Sequence, residues 1–326
     1  MIWLLLAVLS SGTTSSLRGL SAVNDRVAWA SGANGAVLRT VDGGATWKPA
    51  AVPDAANLDF RDVQAFSADS AVLMSAGAGP LSRVYTTADG GAHWNLALKN
   101  EDEKGFFDGI AFWNRKRGVL LGDAVNGRMT LLRTEDGGAS WKPAVTPVAL
   151  EGEGAYAASG TCVTVGRNGR AWFATGGGAS ARVFRSTDWG MTWQVSDTPM
   201  RHDGAGNGIF SIAFRDDLHG VAVGGKYTAP TESAGNIAFT EDGGVTWKPP
   251  TAQSPAGYRS AVLYADKGRL LIVTGTTGTE ISKDGGATWQ PLDPAGFHAL
   301  SRGGKAVWAS GDKGAIAVFR HLRKAK

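Results

Sequence analysis

Apolar and β-branched residues come in short runs along this chain, and each run closes on Gly, Asp, Asn or Ser. That is the signature of short strands joined by tight turns. The runs recur in sets of three. The first set covers 17–23, 27–32 and 36–40, and the second covers 60–66, 71–75 and 83–86. The third covers 107–112, 118–122 and 129–133; the fourth is looser over 156–165 and then clear at 171–174 and 182–185. The fifth covers 209–214, 220–224 and 236–239, and the sixth 258–263, 270–273 and 279–282. No window carries the 3.6-residue period of an amphipathic helix.

Six near-copies of one motif follow these sets. They run from Thr40 to Trp47, Thr87 to Trp94, Thr134 to Trp141, Ser186 to Trp193, Thr240 to Trp247 and Ser282 to Trp289. Their aspartates, Asp42, Asp89, Asp136, Asp188, Asp242 and Asp284, lie 47, 47, 52, 54 and 42 residues apart. A near-fixed period of this size marks a repeat architecture. Asp-Gly-Gly is turn chemistry: the glycines take positive φ without a Cβ clash, and the carboxylate accepts backbone N–H groups. The tryptophans Trp47, Trp94, Trp141, Trp193, Trp247 and Trp289 open the next strand with a large ring to bury between repeats. The motif resembles the Asp box, or BNR repeat, of sialidases and many other β-propellers. An aspartate present in every repeat is read as a hairpin brace, so none of the six is a candidate catalytic acid.

Three strands before each motif and one after it make a four-stranded propeller blade. After the sixth motif, 297–300, 306–311 and 315–319 repeat the first three strands once more, with no motif behind them. Trp3 stands 14 residues before Leu17, much as Trp47 and Trp94 stand 13 before Phe60 and Phe107. Residues near 2–9 therefore sit where an outer strand belongs. The expected fold is all-β: one domain, residues 1–326, a seven-bladed β-propeller whose N-terminal strand closes the ring. The apolar run within residues 1–10 has a second reading, as the remnant of a secretory signal, although no Lys or Arg precedes it. A signal places the protein in the periplasm or outside the cell; if residues 1–10 are instead the closing strand, the expected location is the cytoplasm. The run is too short for a transmembrane span, and a closed ring is expected to be a monomer.

Composition narrows function only slightly. The 46 glycines suit many tight turns, and the single Cys162 excludes an intramolecular disulfide. A net charge of +4 is mild and is no nucleic-acid signature by itself. The basic runs 115–117 and 320–326 are read as solvated charge. The five histidines are scattered, so neither a metal site nor any cofactor is expected. His93 takes the Thr position of its motif and is read as structural. The string 152–157 fits G-x-G-x-x-A but lacks the strand-to-helix context that dinucleotide binding needs.

Propeller topology puts first-strand starts and the loops between second and third strands on one face, opposite the Asp-Gly-Gly turns. First-strand starts hold Arg18, Arg61, Asp108, Arg259 and His298; the loops hold Arg83, Asp123, Arg128, Arg182, Lys226 and Tyr227. Arginines converging on one rim suit a carboxylate, a phosphate or an acidic protein segment. Alternatively they pair inside the channel with Asp62, Asp108 and Asp123. The favoured function is a non-catalytic binding or assembly factor that docks a protein partner or anionic ligand on Arg18, Arg61, Arg83, Asp108, Asp123, Arg182, Lys226, Tyr227 and Arg259. The alternative is a glycoside hydrolase using Asp108, Asp123 or Tyr227, with Glu153, Asp203 and Glu232 as further carboxylates. Sialidases carry Phe/Tyr-Arg-Ile-Pro before the first motif; here the nearest strings are Phe60-Arg61-Asp62-Val63 and Tyr258-Arg259-Ser260-Ala261.

The strings between motifs resemble the photosystem II stability/assembly factor family and its non-photosynthetic bacterial relatives. The residues that carry this are Ser11-Gly12-Thr13-Thr14 with Leu17-Arg18-Gly19-Leu20, Ser82-Arg83-Val84-Tyr85, Gly105-Phe106-Phe107-Asp108 and Gly122-Asp123-Ala124-Val125. Ala181-Arg182-Val183-Phe184, Gly208-Ile209-Phe210-Ser211, Gly224-Gly225-Lys226-Tyr227 and Gly257-Tyr258-Arg259-Ser260 continue it. The resemblance implies seven blades, a chaperone-like binding role for a membrane-protein intermediate, an arginine patch to which Arg18, Arg61 and Arg259 correspond, and export from the cytoplasm. Gly225-Lys226 replaces a Gly-Asp pair of that pattern, and Asp123-Ala124 an Asp-Pro pair.

Overall fold

The computed structural model describes residues 3–266 and 268–322. The ends of the two termini, 1–2 and 323–326, lie outside the described residues, and with them part of the N-terminal run and of the basic tail. Seven antiparallel sheets form seven blades. Blade 1 runs Leu17–Ala22, Ala28–Gly32, Val37–Thr40 and Lys48–Pro49 from inside to outside. Blades 2, 3, 4 and 6 repeat this order, beginning at Asp59–Ala65, Phe107–Phe112, Val163–Val165 and Ala261–Tyr264. Blade 5 has three strands, Asn207–Phe214, Gly220–Lys226 and Ile237–Thr240; its outer edge keeps only the isolated Phe239–Lys248 bridge. Blade 7 joins both ends of the chain. Trp3–Ser10 pairs antiparallel with Ala315–Leu322, outside Ala306–Ser310 and Ala299–Gly303. The innermost strands of neighbouring blades touch all the way round.

Burial follows from this ring. A strand inside a propeller blade has a neighbouring blade on each side, so both of its faces are covered. The second strands are accordingly buried end to end at Ala28–Gly32, Ala71–Ala76, Leu271–Gly275 and Ala306–Ser310. Each of the seven interfaces between blades holds its own apolar cluster. Every motif tryptophan packs into the cluster between its own blade and the preceding one. Trp47 meets Trp308 edge-on at 5.9 Å, and Trp94 meets Trp29 at 6.1 Å. The cluster between blades 6 and 7 has no motif tryptophan, because blade 7 has no motif; Phe297 and Phe319 fill it.

The turn itself is a closed set of hydrogen bonds. The Thr40 hydroxyl donates to Asp42 Oδ1 (2.8 Å) and accepts from the Gly44 amide (3.0 Å). Asp42 then accepts the Thr46 amide (2.9 Å) and hydroxyl (2.6 Å). The same set recurs at Asp136, Asp188, Asp242 and Asp284. At Asp89 the His93 ring replaces the hydroxyl, with Nδ1 2.7 Å from Oδ2. These bonds hold the carboxyls of Asp42, Asp89, Asp242 and Asp284 down at about 2.

Candidate functional site

A β-bulge builds the floor of the channel mouth. In blades 1, 2, 3 and 5 the pairing of the innermost strand with its neighbour skips one residue, between Leu17 and Gly19, Phe60 and Asp62, Phe107 and Gly109, and Ile209 and Ser211. The skipped residues are Arg18, Arg61, Asp108 and Phe210. A bulge re-aims its extra side chain out of the sheet alternation, and here all four line one cavity at the channel mouth. His298 takes the same register position in blade 7, one residue before the Ala299–Ser310 pair, and lines the cavity too.

The cavity has a volume of about 540 Å³ and three unlike walls. Arg18, Arg61 and His298 form the first. Arg61 is held by Asp59, with Nε 2.7 Å from Oδ2. The Arg18 guanidinium has no hydrogen-bond or ion-pair partner among the described residues. Burial and the Arg61 charge lower its pKa. His298 Nε2 lies 2.9 Å from Asp312 Oδ1, yet burial and Arg18 keep the ring's pKa below its ordinary value. The second wall is acidic. Asp108 is 1% exposed, and neither of its carboxyl oxygens makes a well-formed hydrogen bond. Burial pushes its pKa well above the carboxylate range and Asp123 adds to this, while Arg61 and the Ala157 amide pull it back. Asp123 accepts the Ala155 amide on Oδ1 (2.9 Å), and burial raises it as well. The third wall is aromatic. Tyr156 stacks on Phe210 at 3.9 Å, Tyr258 meets Phe210 edge-on at 4.8 Å, and Tyr227 stands at 6.3 Å, 54% exposed. The Tyr156 hydroxyl donates to the Asn207 carbonyl (2.9 Å).

Of the residues singled out in the sequence, Arg18, Arg61, Asp108, Asp123, Tyr227 and His298 meet in this cavity. The others stand elsewhere. Arg259 is 1% exposed and bound to Glu280. Its register explains this. The Ala261–Thr274 pair makes Arg259 the counterpart of buried Leu17, and Ser260 the counterpart of Arg18. Arg182 is clamped on buried Glu153, whose Oε1 also accepts the Thr175 hydroxyl (2.6 Å). Arg83 donates to the Pro80 carbonyl (2.7 Å), and Arg128 to the Thr146 carbonyl (2.9 Å). Lys226 ends its strand one residue before Tyr227 and does not line the cavity. Asp203 and Glu232 both pair with Arg201. The paired arginines thus use Asp59, Glu153 and Glu280, not Asp62, Asp108 or Asp123. Asp62 instead accepts the Ile110 amide (2.8 Å) inside the channel, and burial raises its pKa to about 7.

Sequence reasoning passed over Tyr156, Phe210 and Tyr258. Apolar and aromatic residues within strands read as core, and the bulge that turns Phe210 to the channel leaves no mark in the alternation. The innermost strand of the fourth repeat is only Val163–Val165, and the segment before it carries Tyr156, stacked on Phe210.

Among the described residues no cluster of His, Cys, Asp and Glu could hold a metal ion, and no helix is long and apolar enough to cross a membrane. No protein-family model matches the chain, and no curated protein matches it in sequence. Solved structures do resemble it. YCF48 bound to a D1 peptide is 17% identical with a TM-score of 0.69, over 98% of this chain and 97% of that one. YCF48 from Cyanidioschyzon merolae is 19% identical with a TM-score of 0.66, over 97% and 98%. The virginiamycin B lyase from Staphylococcus aureus, in its selenomethionine form, is 14% identical with a TM-score of 0.67, over 99% and 100%. A protein seen with a peptide and a lyase match equally well, so the likeness carries the seven-bladed β-propeller fold and nothing finer.

Proposed function

We propose that this protein is a non-catalytic binding factor that receives an acidic segment of a partner protein at the channel mouth, on Arg18 and Arg61. One observation carries the reading: Arg18 lies mostly buried in a cavity wall with its guanidinium unpartnered, beside a second arginine. Asp59 bonds Arg61 and, with Asp312, acts on Arg18 only from a distance, so the buried Arg18 fork is left without a bonded anion. A carboxylate held by both is a charge-assisted pair, and arginine's planar fork suits it. A cavity of about 540 Å³ admits a few residues of an extended chain, not a folded domain. The peptide-bound structure named above is a precedent for a propeller of this fold taking a peptide. The resemblance drawn from the sequence adds an assembly role and an extracytoplasmic location to the proposal.

Capture from host extract tests it. Wild-type protein and an Arg18→Ala/Arg61→Ala variant serve as baits, with bound proteins read by mass spectrometry. A partner retained by the wild type, lost with the variant and released by moderate salt is expected. The same partners on both baits would contradict the site.

A hydrolytic reading has one feature in its favour: two carboxyls, Asp108 and Asp123, line the same cavity, and burial raises the pKa of both. Against it, both Asp108 oxygens are sealed from solvent. Turnover of aryl glycosides that is abolished by Asp123→Asn would establish hydrolysis in place of binding.

A further inference from the structure

The acidic and aromatic walls of the cavity have no use in binding an anion. Asp108 is a buried carboxyl at the cavity edge without a well-formed hydrogen bond. A buried polar group left unsatisfied costs free energy and marks a place where a partner is missing. Asp123 stands beside it. Its Oδ1 is taken by the Ala155 amide, and its Oδ2 has no hydrogen-bond partner among the described residues. Tyr156 flanks the pair, and its ring is fixed by stacking on Phe210 and by its own hydroxyl bond. Tyr227, more than half exposed, completes the rim. A carboxylate such as Asp123 beside an aromatic wall is complementary to an organic cation, which gains from both charge and ring faces.

We infer that the cavity carries a second subsite, for an ammonium or guanidinium group, formed by the Asp123 carboxylate with Tyr156 and Tyr227, with buried Asp108 behind it. The inference rests on the anion site proposed for Arg18 and Arg61 and adds a requirement to it: the bound segment presents a Lys or Arg side chain within one cavity length of its carboxylate. Charge arrangement argues for this over a purely acidic segment. A second carboxylate of the ligand would meet Asp123, whereas a cation there would be opposed by it.

Four small probes titrated against the full chain by calorimetry separate the two subsites. N-acetylglycine offers a carboxylate alone, N-acetyl-L-arginine amide a guanidinium alone, N-acetyl-L-arginine both, and N-acetyl-L-glutamate two carboxylates. N-acetyl-L-arginine is expected to bind at least about tenfold tighter than N-acetylglycine or N-acetyl-L-glutamate. Asp123→Asn keeps an oxygen for the Ala155 amide and is expected to erase that advantage. Tyr227→Ala, a second variant, is expected to weaken the same two arginine probes. Preference for N-acetyl-L-glutamate, or an arginine advantage that survives both variants, would overturn the cation subsite and leave the anion site standing. Arginine amide binding that depends on Asp123, with no probe affected by Arg18→Ala, would overturn the anion site alone. No binding of any probe at millimolar concentration would overturn both.

Discussion

The aspartate that recurs in every repeat acts within its own turn. Asp136 accepts the Thr134 hydroxyl, the Ser140 amide and the Ser140 hydroxyl, and nothing in this set points to a ligand. Asp136→Ala is therefore expected to cost about 1–2 kcal/mol by urea unfolding, with ligand binding unchanged. One turn departs from the rule. Trp189 stands where the other five motifs have glycine, and it holds φ at 64°. Its ring lies against Trp113 (5.6 Å) and under the Arg117 guanidinium (4.8 Å), contacts that offset the left-handed backbone. Asp62 puts a carboxyl where a hydroxyl would serve. In blade 5 the matching Ser211 hydroxyl accepts the Val262 amide (3.0 Å), as Asp62 accepts that of Ile110. The unfolded carboxyl titrates near 4, and the folded one keeps its proton up to about 7. Between those values the native state binds more protons than the unfolded state, so each rise in pH lowers stability. Asp62→Ser keeps the acceptor and removes the carboxyl. It is expected to raise stability at pH 8 by at least about 1 kcal/mol and to flatten the loss between pH 4 and 7. An unchanged pH profile in thermal melts would refute this.

Strands and turns were legible in the sequence because their physics is local. Alternation, glycine-bearing turns and a recurring tryptophan define blades without knowledge of their neighbours. The site was legible only in part, because it depends on a one-residue slip. Leu17-Arg18-Gly19 and Tyr258-Arg259-Ser260 look alike in sequence. In the first the arginine is the bulge residue and reaches the channel; in the second it stands one place earlier and is buried between blades. Charge alone could not reveal this. A buried cation does need a carboxylate, and Glu280 of the same blade supplies it. Arg259→Ala would leave Glu280 buried and unpaired, so a loss of about 3–5 kcal/mol is expected. A variant as stable as the parent would place Arg259 back at the surface. The aromatic wall escaped notice for the opposite reason: Phe210 has a core residue's chemistry at a channel position.

At the scale of the whole molecule, the ring makes a site that no single blade holds. Blades 1, 2 and 7 bring basic groups, blade 3 two carboxyls, and the segments around blades 4, 5 and 6 the aromatic rings. Ring closure by Trp3–Ser10 on Ala315–Leu322 keeps these contributions in register. The two kinds of carboxyl also set the acid–base behaviour of the fold. The motif aspartates, held low, contribute stability that is present above about pH 4 and lost as pH falls toward 2. Asp62 and Asp108, held high, act in the other direction as pH rises from 4. The proposed function places the bound anion on Arg18, beside Arg61. Its most direct test is the affinity of a captured partner's acidic segment for wild-type protein and for Arg18→Ala, measured over a salt series. Binding that weakens with salt, and that falls at least about tenfold in the variant with the melting temperature held, is the expected result. Equal affinity of the two proteins at every salt concentration would place the bound anion elsewhere.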